Sequence, residues 1–191
     1  VAMRDQVKLG VIDGIIGWFD SHRCGLQWIV LVLALTICAY TGFLISALIR
    51  FPLINQAVLP ALFVASGLSA GAAASKMVAA GMFGEDQHSA DLKLLHGAEW
   101  PIMAAEALCI FRIAVALIGG HAAVQFAAQA FPTGAWAAEF WIGVVGIGFI
   151  VPILLSGVKN SAGFYLSGLA SVTGMMCLRL FILYAGQLYS I

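Results

Sequence analysis

The sequence predicts an all-α integral membrane protein, a bundle of about five transmembrane helices, on three observations. Charged side chains make up only 9% of the 191 residues, whereas a soluble domain carries roughly 25%. The mean hydropathy is +1.02. The apolar runs are long enough for helices that cross a hydrocarbon layer of roughly 30 Å, and they lack the alternation of barrel strands.

Residues 1–26 form a cytoplasmic, interfacial segment in this reading. Within it, "DQVKLGVIDGIIGWF" (5–19) places Val7, Val11, Ile15 and Trp18 at helical spacing, opposite Asp5, Lys8 and Asp13. It is too short and too charged to span, so an amphipathic helix lying on the membrane is expected. The stretch lacks the pattern of a signal peptide, and the chain starts at Val1, as a processed chain or part of a longer one would. The transmembrane domain covers 27–191, with spans at about 27–49, 57–78, 92–118, 136–158 and 162–189. The second span contains "ASGLSAGAAAS", whose small side chains allow close helix packing or leave room for a flat ring. Trp18, Trp28, Trp100, Trp136 and Trp141 fall near span ends, as in an interfacial belt. The loop "GGHAAVQFAAQAFPTGAW" (119–136) is uncharged. It is expected to lie on the membrane or to form part of a docking surface for an extrinsic subunit.

Lysine and arginine set the direction. Arg4, Lys8, Arg23, Lys76, Lys93 and Lys159 fall on one side and Arg50 alone on the other. The N-terminus is therefore expected in the cytoplasm and the C-terminus in the periplasm or exterior. The net charge is zero, so there is no basic field for nucleic acid. Cys24, Cys38, Cys109 and Cys177 form no CxxC pair, which argues against an iron–sulfur cluster or structural zinc on this chain. His22, His88, His96 and His121 lie in loops or at span ends. A haem needs histidines at depth, so neither haem nor metal is expected. His96, near Glu99, is a candidate proton entry group.

Charges within the spans are the main functional signal. The third span holds Glu99, Glu106 and Arg112, the fourth begins near Glu139, and the fifth holds Arg179. Each charge near mid-bilayer costs on the order of 2.5–3.5 kcal/mol on insertion scales, so such groups face the bundle interior and pair, or serve function. Glu99 and Glu106 are seven apart and share a helix face. Arg179 is expected to find its partner on another helix, most simply Glu106 or Glu139. The five residues form either a structural ion network or a pathway for protons. In the second case Glu99 and Glu106 titrate and the arginines tune them.

"AYTGFLISAL" (39–48), "PLINQAVLPALFVASGLSAGAA" (52–73) and the closing "LRLFILYAGQ" resemble the NrfD/PsrC family, the polysulfide-reductase type of membrane subunit. The resemblance implies a haem-free anchor that interacts with a quinone, menaquinone or ubiquinone, in the bacterial or archaeal inner membrane. It also implies electron exchange with a ferredoxin-like iron–sulfur subunit that serves a molybdopterin or cytochrome catalytic subunit. Members have eight or more helices in two four-helix bundles, and these five spans correspond to the fourth through eighth. Within that frame Tyr40, Thr41 and Ser46 offer hydroxyls for quinone carbonyls, and Gly42 leaves space beside the Tyr40 phenol. Two other readings stay open: a proton- or ion-translocating subunit, in which the buried charges are the path itself, and a purely structural anchor.

Overall fold

A computed structural model describes residues 21–84, 89–156 and 160–189. The amphipathic stretch 5–19, with Arg4 and Lys8, and the loop residues His88 and Lys159 lie outside them. The described residues are helical throughout, joined by turns. In chain order they form α1 (Arg23–Ser46), α2 (Leu59–Met82), α3 (Ala90–Ile118), the short α4 (Ala122–Ala128), α5 (Glu139–Leu155) and α6 (Ser161–Leu188). The described residues fall into two units, divided after Cys38.

Four helices, α1, α2, α3 and α6, are long and apolar enough to cross a membrane. This is a multi-pass helical membrane protein. Helix ends follow local chemistry. Pro60 stands in the first turn of α2, where its missing N–H costs nothing. Ser89 caps α3 by accepting from the Leu92 N–H at 3.4 Å, and Asp91 lies in the first turn, where the helix dipole favours an acid.

α5 is different. Its first twelve residues, Glu139–Ile150, form a π-helix, and only Val151–Leu155 are α-helical. A π-helix bonds residue i to i+5, so residues five apart stand nearly in register. Gly143 and Gly148 are such a pair, and both meet α6. A Cβ on Gly143 would come within 2.8 Å of the Cys177 Cβ, and one on Gly148 within 3.0 Å of the Gly174 Cα. In an α-helix those glycines would diverge by about 140°.

The core of the second unit lies between α2, α3, α5 and α6. It includes Leu59, Leu62, Phe63, Ile113, Leu117, Phe140, Val144, Leu178 and Phe181. The connections join it. Leu53 and Ile54, between α1 and α2, are buried. The 119–136 loop, expected at the surface, sends Ala127 and Ala130 into the core. Phe131 meets Phe140 edge-on at 4.9 Å and Phe181 at 5.4 Å. The Trp141 indole N–H donates to the Phe131 carbonyl at 3.0 Å. The loop is thus partly interior: Ala127 and Ala130 are buried and Phe131 packs on the core, while Phe126 stays exposed.

Candidate functional site

α2 contributes the first half of the site. Ser66, Ser69, Ala73 and Lys76 are all buried, and their spacings of three, four and three put them on one face. α3 contributes the second half through a strict seven-residue repeat. Leu92, Glu99, Glu106 and Ile113 point the same way, and all but Glu99 fall in the fully buried class. Two helices that are otherwise greasy thus bring polar faces inward.

At one end of the two helices, the Lys76 ammonium donates to Glu99 Oε2 at 2.5 Å, with the two side chains 7% and 12% exposed. His96 Nδ1 lies 3.3 Å from the same oxygen. The Phe164 ring of α6 covers the ammonium at 5.9 Å. Glu99 Oε1 is buried without a hydrogen bond. Lys76→Met should destabilise the fold, by at most about 3–5 kcal/mol, because it leaves the buried Glu99 carboxylate with only the half-exposed His96 beside it. Lys76→Met combined with Glu99→Gln should recover most of that loss, as read by thermal unfolding in detergent.

Two turns along α3 stands Glu106. It is 0% exposed, and among the described residues neither carboxylate oxygen has a hydrogen-bond partner. Buried polar groups without partners are rare, and each asks for a physical reason.

Arg179 does find a partner on another helix, as expected, but not a carboxylate. Its Nη2 donates to Ser66 Oγ at 3.4 Å, and the guanidinium lies 5.4 Å over the Phe63 ring, a cation–π contact. Its Nε is buried and has no hydrogen-bond partner among the described residues. The anticipated ion pair with Glu106 or Glu139 is not formed. Glu139 instead lies beside Cys177 of α6: a Cβ on Gly143 would stand 2.9 Å from the Cys177 Sγ and 3.6 Å from Glu139 Oε1. The reason lies in helix crossings: Gly148 against Gly174 fixes α5 on α6, which puts Cys177 opposite Glu139, while Arg179 turns toward α2. Arg112 is exposed on α3 and joins none of these groups.

The α1 residues are dispersed. Tyr40 is 63% exposed, and Thr41 is also exposed. Ser46 Oγ donates to its own helix, at the Phe43 carbonyl, 3.0 Å away. Gly42 is buried for a packing reason: a Cβ there would come within 2.5 Å of the Pro60 Cα. A groove of about 440 Å³ runs beside this stretch, lined by Ala39 of α1, by Pro60, Ala61, Val64, Ala65 and Leu68 of α2, and by Pro101, Ile102 and Ala105 of α3. None of the three hydroxyls lines it, and its own lining carries no polar side chain. On this chain, then, Tyr40, Thr41 and Ser46 do not converge on a slot for a flat ring. Among the described residues no three His, Cys, Asp or Glu side chains are grouped to hold a metal.

The family model for polysulphide reductase, NrfD, matches residues 2–190. The chain belongs to the NrfD family. The C subunit of the polysulfide reductase of Wolinella succinogenes is 38% identical to this NrfD-family protein over 192 residues, covering 97% of this sequence and 61% of that protein. Protein NrfD of Escherichia coli is 38% identical over 186 residues, 95% of this sequence and 58% of its own. The Haemophilus influenzae NrfD homolog gives 38% over 189 residues, with 95% and 58% covered. The chain thus spans about three-fifths of the length of the curated relatives it matches. No solved structure matches it.

Sequence reasoning missed Lys76, Ser66, Ser69 and Phe63 as members of the polar row. For three of them a signal was present. Ser66, Ser69 and Lys76 are spaced three and seven apart and share one side of a helix whose only other polar side chain, Ser75, points the opposite way. Phe63 carried no such mark.

Proposed function

We propose that this NrfD-family chain is part of the membrane anchor of a respiratory oxidoreductase complex. In this reading the assembly exchanges electrons between a quinone pool and a peripheral ferredoxin-like iron–sulfur subunit, which serves a molybdopterin or cytochrome catalytic subunit. The membrane is the bacterial or archaeal inner membrane, with the N-terminus cytoplasmic. The chain acts as an accessory subunit and not as a catalyst by itself. Family membership supports the redox setting. The observation that carries a role beyond anchoring is the unpartnered, fully buried Glu106 in line with the Lys76–Glu99–His96 cluster.

Each polar residue has its own part. His96, half-exposed at the end of α3, takes a proton from water and passes it to Glu99, 3.3 Å away. Lys76 holds Glu99 in place and keeps a positive charge beside it. Glu106 lies one heptad further, about 10 Å along the helix, and is the next group able to carry a proton. The Arg179 guanidinium keeps its proton throughout and supplies fixed positive charge deeper in the same bundle. A quinone supplies the two-electron, two-proton chemistry when bound to the assembly. Tyr40, with its exposed phenol, offers one wall of a ring slot that other surfaces complete.

The test is biochemical. Extracted gently from native membranes, the chain should copurify with an iron–sulfur protein, and the reduced-cluster EPR signal should appear on addition of a quinol. Purification without any iron–sulfur protein, and with no quinol-dependent signal in the membranes, would reject the redox reading.

A further inference from the structure

Arg112 is the one charged group in the membrane-crossing part of α3 that faces outward. Its side chain is exposed, and among the described residues it makes no ion pair or hydrogen bond. Depth decides what it needs. The charged and titratable residues Asp91, Lys93, His96 and Glu99 all precede Trp100, and from Trp100 to Ile118 only Glu106 and Arg112 interrupt the apolar run. Trp100 therefore marks one membrane interface. Arg112 lies twelve residues on, about 18 Å along the axis, in a hydrocarbon layer of about 30 Å. α3 itself ends at Ile118, six residues or about 9 Å further on, still further than an arginine side chain extends. Snorkelling to lipid phosphate does not reach, so the anion must come from protein at the same depth.

The surface around it is shaped for a helix. Pro101 and Ala105, on the α3 side of the groove that also includes Ala39, Ala61, Ala65 and Leu68, share a face with Leu108 and Arg112 at spacings of four, three and four. Small side chains line the groove wall, and bulky apolar side chains of a neighbour fit such a surface at close range. Arg112 stands seven residues beyond Ala105 of the groove wall on that face, so one helical segment can fill the first and neutralise the second.

We infer that the α1–α2–α3 groove and Arg112 together form the docking face for another transmembrane helix, one that carries an Asp or Glu near mid-bilayer and bulky apolar residues on the same side. The occupant's carboxylate pairs with the Arg112 guanidinium and its apolar side chains enter the groove. This inference does not depend on the proposed redox role.

The experiment uses the native complex. A benzophenone amino acid placed at Leu108, between groove and arginine, is photoactivated in membranes and the adducts are sequenced. The expected adduct is a transmembrane peptide with an acidic residue within about two turns of the crosslink. Arg112→Gln should lower the amount of intact complex on native gels at least fivefold, whereas Arg112→Lys should keep at least half. Exchanging the charges, Arg112→Glu with the acid changed to Arg, should restore assembly. Adducts to lipid alone, to a second copy of this chain, or to a peptide lacking an acid would overturn the inference. So would wild-type assembly of Arg112→Gln.

Discussion

Glu106→Met should make the protein more stable and its complex less active. The carboxylate is fully buried and makes no hydrogen bond. Leaving a polar group in that condition costs roughly 1–3 kcal/mol, and an apolar replacement of similar shape removes the cost. Melting in detergent should therefore move up. If Glu106 carries protons, quinol-linked turnover per assembled complex should fall at least tenfold in the same variant. Glu106→Gln keeps shape and polarity but not the exchangeable acid, and should show the same loss of turnover with little change in melting. A purely structural Glu106 would behave differently: both variants would keep normal turnover per complex. Opposite signs for stability and activity are expected of a group retained for what it does and not for how it packs.

Gly174→Ala should be a severely damaging single-methyl change. A Cβ on Gly174 would overlap the Gly148 Cα and come within 2.7 Å of the Gly148 nitrogen. The obstacle is backbone, which cannot rotate aside, so α5 and α6 must separate. Separation would also disturb the contact of Gly143 with Cys177. Overpacking in cores costs about 1–3 kcal/mol, and this site lies at or above the top of that range. Gly148→Ala should be milder, since its Cβ would stand 3.0 Å from the Gly174 Cα. Gly71→Ala is the control: nothing lies within 4 Å of a Cβ there, and helix propensity favours alanine by up to about 1 kcal/mol. Melting temperatures should rank Gly71→Ala at or above wild type, then Gly148→Ala, then Gly174→Ala. If Gly174→Ala melted like the parent, the close crossing of α5 and α6 would be wrong.

The polar row shows how far one-dimensional reasoning reaches. The heptad separating Glu99 from Glu106 is enough to put them on a common face, and both do turn toward the interior. That Arg179 reaches another helix also follows, since no charge on α6 is near it. Its actual neighbours, Ser66 and Phe63, do not follow, because opposite charges are the simplest pairing and nothing in the chain order marks a hydroxyl and an aromatic face as the substitute. Lys76 reads in sequence only as a topological charge at a helix end, yet its ammonium lies under Phe164 and on Glu99. Tyr40 has a hydroxyl and a glycine neighbour, but Gly42 exists to admit Pro60, which turns the phenol outward.

By itself the sequence determined the solvent this protein folds in, the helical class, and which residues share a helix face. Those follow from hydropathy and from the roughly 100° turn between neighbouring residues of a helix, and both are local. Tertiary structure decided which face meets which. The π-helical stretch of α5 brings Gly143 and Gly148 onto one side, the Gly148–Gly174 approach fixes how α6 is rotated, and that rotation sends Arg179 to Ser66 and leaves Glu106 without a partner. Crossing geometry depends on side chains far apart in the chain meeting at sub-ångström tolerance, and helical periodicity carries no record of it.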